Sequence, residues 1–300
     1  LADGLLPYYK GEDAVPLISE LYDNLDANNG YSMSLGLNGY HPMVYQCLRA
    51  LIGKRRPMAE LFVDKDTPDD IWNLAFEVIR SGGGQPAFYN KVDLPHMLMN
   101  KLPSITKEDI KHFCGGGCAE SMIAGRSNIG SVDAGINLPL LLEKTIYSSL
   151  PGAKDFEEFY RAFTDTVRET VATVTDGVSA SRLKRAEVMP LPMRTLLVDD
   201  CIDNGADYNN GGARYKWSII NFAGNINVVD SMLTIKDMIF DRKVISADDM
   251  ISKLRNNDRE FLAACRKEPL CFGICDSEAD KFAHRLTNDI YSTLDGLKPA

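Results

Sequence analysis

Residues 112–121 read HFCGGGCAES: two thiols, three consecutive glycines and a carboxylate two positions beyond the second thiol. A phosphate cradle, a metal clip, a disulfide or a catalytic thiol could each use such residues. A phosphate loop needs GxxxxGK[ST] or GxGxxG before a helix, and neither this segment nor SGGGQP at 81–86 has that pattern. Zinc at Cys114 and Cys118 needs two further ligands, of which His112 could supply one, so no metal site is expected. A disulfide between thiols four positions apart is geometrically strained. In an extended segment, residues i and i+2 point to the same side, which would set Cys118 and Glu120 on one substrate. The three glycines let the backbone carry that thiol into a confined space. The residues alone also fit a small-residue turn with a buried cysteine and a surface glutamate. A Cys–His nucleophile drawing on His41, His96, His112 or His284 stays open as well.

The elements around this loop are legible from period and caps. Thr67 reads as the N-cap of a helix with Pro68 at its first position, Asp69 and Asp70 at its positive end, and Gly82 as its stop. Ile71, Leu74, Ala75, Val78 and Ile79 form its apolar stripe. Thr106 and Asp109 repeat the capping logic before the cysteine loop. Residues 133–147 (DAGINLPLLLEKTIY) read as a buried helix bent at Pro139. A long amphipathic helix follows, with Phe156, Phe159, Phe163, Val167, Val171 and Val174 inward. GGARYKWSIINFAG at 211–224 reads as a strand, and helices are expected near 225–240, 246–255 and 277–294. Short apolar strands between long helices predict an α/β protein with parallel strands, and no linker divides the chain.

The 300 residues carry a net charge of −9, with 45% hydrophobic and 25% charged residues. That is a folded globular composition without a basic stripe, which argues against nucleic acid as a partner. The longest apolar runs are too short to span a bilayer and no secretory leader is visible, so no membrane is expected. Seven cysteines without a framework point to a reducing cytoplasm. Cys265, Cys271 and Cys275 lack zinc spacing and read as buried or idle thiols.

The cysteine loop resembles that of the glycyl radical enzymes, the pyruvate formate-lyase-like superfamily. The resemblance extends from about Ala59 to Leu286. AELFVDKDTPDDIWNLAFEVIRSGGGQPAFYN (59–90) resembles the segment running into a Gly-x-Pro-x-Phe-Tyr/Phe-Asn stretch. ITKEDIKHFCGGGCAE (105–120) resembles the approach to a Gly-Cys-x-Glu motif. CIDNGADYNNGGARYKWSIINFAGNINVVDSM (201–232) resembles the Gly-Gly-Ala-Arg/Lys-Tyr strand and the helix after it.

What the resemblance implies is specific. The fold would be part of a ten-stranded α/β barrel with surrounding helices, residues 1–300 forming a partial catalytic barrel domain that lacks the glycyl radical domain. An activating enzyme using S-adenosylmethionine and an iron–sulfur cluster installs a radical on a glycine outside this chain. No tightly bound cofactor is expected. Cys118 would become the thiyl that takes hydrogen from a small-molecule substrate, and Glu120 the acid/base of the Gly-Cys-x-Glu branch. Asp133 would orient substrate hydroxyls, with helix N-capping an equal account of it. Phe88, and Tyr89 beside it, would wall the cavity, and Arg214 would hold barrel structure. Ala119 in place of a second adjacent cysteine disfavours formate chemistry.

The resulting expectation is a lyase, foremost a dehydratase or other C–O/C–N eliminating enzyme on a small polar substrate. The alternatives are an arylacetate-type decarboxylase or a non-catalytic fragment or subunit. The chain by itself would be inactive without the glycyl loop. Its partners would be the activating enzyme, the glycyl-loop region and further copies in the full enzyme.

Overall fold

The computed structural model describes residues 13–27, 34–116, 120–128, 132–266 and 271–297. Cα packing divides the chain into two compact units, one of residues 1–131 and 189–217, the other of 132–188 and 218–300.

The first unit opens with helix α1 (Val15–Ala27), strand β1 (Ser34–Leu37), α2 (Pro42–Ala50), β2 (Met58–Val63), α3 (Asp69–Val78), β3 (Ala87–Asn90) and α4 (Asp93–Lys101). The three strands form a parallel sheet in the order β1-β2-β3, with Gly36 opposite Glu60 and Phe62 opposite Tyr89. Successive side chains of a strand point to opposite faces. Ala59, Leu61 and Val63 accordingly bury themselves with Val44, Leu48, Ile71 and Leu74 in the helix-side core. Glu60 and Phe62 take the other face, where the antiparallel ladder of β4 (Phe113–Gly116) and β5 (Glu120–Ile123) lies.

One cap differs from expectation. Helix α3 starts at Asp69 with Pro68 in the cap position. The Thr67 hydroxyl instead accepts from the Asp64 amide at 2.8 Å and meets the Tyr40 hydroxyl at 2.8 Å, closing the turn that precedes the helix. A threonine bonding its own tight turn has no oxygen free for the helix amides.

In the second unit, β6 (Ala134–Asn137) pairs in parallel with β7 (Ile220–Ala223). The helices are α5 (Leu138–Ser149), α6 (Phe156–Val188), α7 (Asn225–Ile235), α8 (Ala247–Arg255), α9 (Arg259–Cys265) and α10 (Glu278–Ser292). Residues 133–147 are thus a strand followed by a helix rather than one bent helix. Asn137 caps α5 by accepting from the Leu140 amide at 3.1 Å, and Pro139 sits in the first turn, where a missing N–H breaks no bond. The expected strand across 211–224 condenses to β7, while Tyr215 makes an isolated bridge to Ser127 within the first unit.

Helix α6 carries its predicted stripe inward: Phe159 and Phe163 are fully buried with Val167, Val171, Leu138 and Val229. Phe163→Ala removes most of a ring from this core and is expected to cost about 3–5 kcal/mol, measurable as a lower urea midpoint. Helices α8 and α10 start as read, with Ser246 and Ser277 accepting from the Asp249 and Asp280 amides at 3.1 Å each. No helix among the described residues is long and apolar enough to cross a membrane.

Candidate active site around the cysteine-loop ladder

Cys118 lies outside the described residues, as do Gly117 and Ala119. The ladder that leads into and out of them is described. Phe113 stands opposite Ile123, Cys114 opposite Met122, Gly115 opposite Ser121 and Gly116 opposite Glu120. Opposed residues of an antiparallel pair share a face. Phe113 and Gly115 turn toward the parallel sheet, the Phe113 ring lying 6.4 Å from each of Phe62 and Tyr89. Cys114, Met122 and Glu120 turn the other way. Glu120 is 7% exposed at the head of β5.

Glycine at 115 has a steric cause. A Cβ there would overlap the Tyr89 hydroxyl and the Glu60 carboxyl group, which press on the same backbone atom. Glu60 is 2% exposed and Tyr89 3%. Burial raises the Tyr89 phenol above its ordinary range, and the charges of Glu60, Glu120 and Cys114 add to it. Burial likewise pushes the Cys114 thiol up to about 11, with Glu60 contributing, so at neutral pH it stays protonated. Three acidic groups therefore act on one buried phenol.

A second cluster pins the open end of the ladder, where β4 enters and β5 leaves. Asp109, just before β4, bonds its amide to Thr106 Oγ1 at 3.0 Å. Its Oδ1 accepts from Arg126, just after β5, at 2.5 Å and from Arg214 at 3.1 Å. Its Oδ2 accepts from the Tyr215 hydroxyl. Arg214 also holds Asp200 with two bonds of 2.5 and 2.7 Å. Arg214 thus performs the structural role expected of it.

The Tyr215 hydroxyl, then Thr106 and Arg214, hold the Asp109 carboxyl below its usual range despite the opposing effect of burial. A depressed carboxylate contributes stability above its unfolded pKa and loses it as pH falls through the folded value. Asp109→Asn leaves two arginines facing a neutral amide and is expected to cost about 3 kcal/mol at neutral pH. The variant should then lose less further stability than the parent between pH 5 and pH 2, as read from urea midpoints across that range.

Phe88 and Asp133 are the remaining expected site residues. Phe88 does not face the ladder. One position before Tyr89 on the strand, it projects to the opposite face and packs on Trp72 and Phe76, with centroids 5.1 and 5.9 Å away. Asp133 belongs to the second unit and does not cap a helix; Asn137 does. Asp133 Oδ1 accepts from Arg185 at 3.0 Å, and Oδ2 accepts from the Ile219 amide at 3.1 Å with Arg182 at 3.7 Å. Glu60 and the Asp109–Arg126 pair were not selected from sequence. A glutamate inside the apolar run MAELFV was the available signal for the first. Among the described residues no group of three or more His, Cys, Asp or Glu could hold a metal ion.

Strand β6 and its partner, the β1-β2-β3 sheet and the glycine-rich ladder together define the class: part of a ten-stranded α/β barrel, with no closed sheet among the described residues. The B12-independent glycerol dehydratase of Clostridium butyricum shares this fold with a TM-score of 0.76 at 23% identity, over 98% of this chain and 43% of that one. The pyruvate formate lyase-like family model matches residues 35–299, and the chain belongs to that family of glycyl radical enzymes. It is 28% identical over 295 residues to the trans-4-hydroxy-L-proline dehydratase of Clostridioides difficile, covering 91% of this chain and 37% of the relative. It is 25% identical over 208 residues to the (2S)-3-sulfopropanediol dehydratase of Klebsiella oxytoca, covering 64% and 25%. The chain therefore spans well under half the length of these relatives.

Proposed function

We propose that this chain is the cysteine-loop portion of a glycyl radical dehydratase acting on a small hydroxylated substrate. The observation that carries the reading is Glu120, a buried carboxylate opposite Gly116 on the ladder face it shares with Cys114 and Met122, two positions after Cys118 in sequence. The dehydratase relatives support it. A glycyl radical on a residue beyond this chain, installed by an S-adenosylmethionine iron–sulfur activating enzyme, supplies the initial hydrogen abstraction.

Cys118 takes one hydrogen atom from the substrate carbon next to the one bearing the hydroxyl, becoming a thiol and leaving a carbon radical. Glu120 gives a proton to the leaving hydroxyl, which departs as water. The substrate gives up a proton from the polar group on its radical carbon, which restores Glu120 and leaves a neutral product radical, and Cys118 returns its hydrogen atom to that radical. Proton donation to a leaving oxygen is the kind of step a positioned carboxyl accelerates. Asp133, held by Arg182 and Arg185, is assigned the orientation of a substrate hydroxyl. Residues 1–300 form part of one catalytic barrel domain in this reading, in a cytoplasmic enzyme of several copies.

The test is the complete enzyme, activated anaerobically and offered small polyols and hydroxylated amino acids. Electron paramagnetic resonance should show a glycyl radical, and the product should have lost water with its carbon count intact. Release of carbon dioxide from an arylacetate would move the assignment to the decarboxylases. Absence of any glycyl radical would leave the chain as a non-catalytic subunit.

A further inference from the structure

Glu60 and Tyr89 belong to neighbouring strands, yet both press on one glycine of the ladder that carries Glu120. Both are almost wholly buried, and the Tyr89 hydroxyl has no hydrogen-bond partner among the described residues. Burying a carboxylate and leaving a phenol oxygen unsatisfied each cost stability, so neither is a neutral filler for that space. A pair of apolar side chains would pack the same gap without either cost. Groups kept against such a cost mark functional sites.

We infer that Glu60 and Tyr89 form a buried seat for the cysteine-loop ladder, acting through Gly115 to hold Glu120 in register for the elimination proposed above, on which this inference rests. They are positioning residues. On a ladder whose sheet-facing position has no side chain, the backbone settles directly onto two rigidly mounted polar groups. Its height above the sheet is then set by the reach of a glutamate and a tyrosine. Lifting it by the width of a methyl group displaces Glu120, and displacements near 1 Å cost a reaction of this kind about a hundredfold.

The complete activated enzyme tests this with Gly115→Ala, Tyr89→Phe, the double variant, Glu60→Ala and Glu60→Gln. Gly115→Ala should lower kcat about a hundredfold with little change in KM. Adding Tyr89→Phe removes one of the two colliding groups, leaving the Glu60 carboxyl, and should recover roughly tenfold of that loss, half of it on the free-energy scale. Glu60→Ala should lower kcat at full glycyl radical yield, and Glu60→Gln, of equal shape, should restore most of it. Tyr89→Phe alone deletes an orphaned hydroxyl, so the melting temperature of the unactivated protein should hold or rise. In the same measurement Gly115→Ala should fall and the double variant recover.

Normal turnover by Gly115→Ala, a double variant no better than the single one, or a Glu60→Ala effect confined to KM would each overturn the seat. Loss of the radical signal in the parent enzyme would instead overturn the proposed reaction. The melting pattern would still decide the seat in that case.

Discussion

Cys118→Ser in the complete, activated enzyme is expected to bring turnover to background while the glycyl radical signal persists. The proposed reaction runs through a hydrogen atom carried on sulfur, whose S–H bond is weak enough to form and break against activated C–H bonds. A serine hydroxyl keeps the size and a hydrogen-bonding hydrogen, but its O–H bond is too strong to be opened by a glycyl radical. The predicted outcome therefore has two parts that must occur together: a normal radical doublet and no product. Full turnover by this variant would end the radical reading of the loop. An inactive variant with no radical would implicate folding or activation, and circular dichroism with a melting curve would identify which.

Glu120→Gln is expected to lower kcat by about 10²–10⁴-fold, the usual worth of a positioned acid or base, with substrate binding changed far less. Glutamine preserves the volume and the strand position opposite Gly116 but cannot hand over a proton at neutral pH. The hydrogen-abstraction step does not use Glu120, so the glycyl radical yield should equal that of the parent. An unaffected Glu120→Gln would remove the elimination chemistry and leave only the radical scaffold. Because Glu120 is buried, an alanine at this position would add a cavity to the chemical change, and the amide is the cleaner probe.

These two residues were readable in one line of sequence because their signal is local. The same holds for the helix starts near 246 and 277 and the inward stripe of α6 from Phe156 to Val171, where a few neighbouring residues carry both pattern and cause. Pro139 shows the limit of local reading. A proline in an apolar run bends a helix or starts one, and only the pairing of 134–137 with 220–223 decides for a start.

By itself, the sequence determined the family and the α/β class, and it offered Cys118 and Glu120 as candidates. Those are encoded in spacings of a few residues, where covalent geometry dictates which side chains share a face. Tertiary structure alone decided what stands under and around the cysteine-loop ladder. Glu60 and Tyr89 meet Gly115 only because a parallel sheet aligns strands from three separate segments. Asp109 finds Arg214 and Tyr215 more than a hundred positions away, at the open end of the ladder. Phe88 turns to Trp72 and Phe76 for the same reason that Tyr89 turns to the ladder, since adjacent strand residues must point to opposite faces and the register chooses which one looks which way.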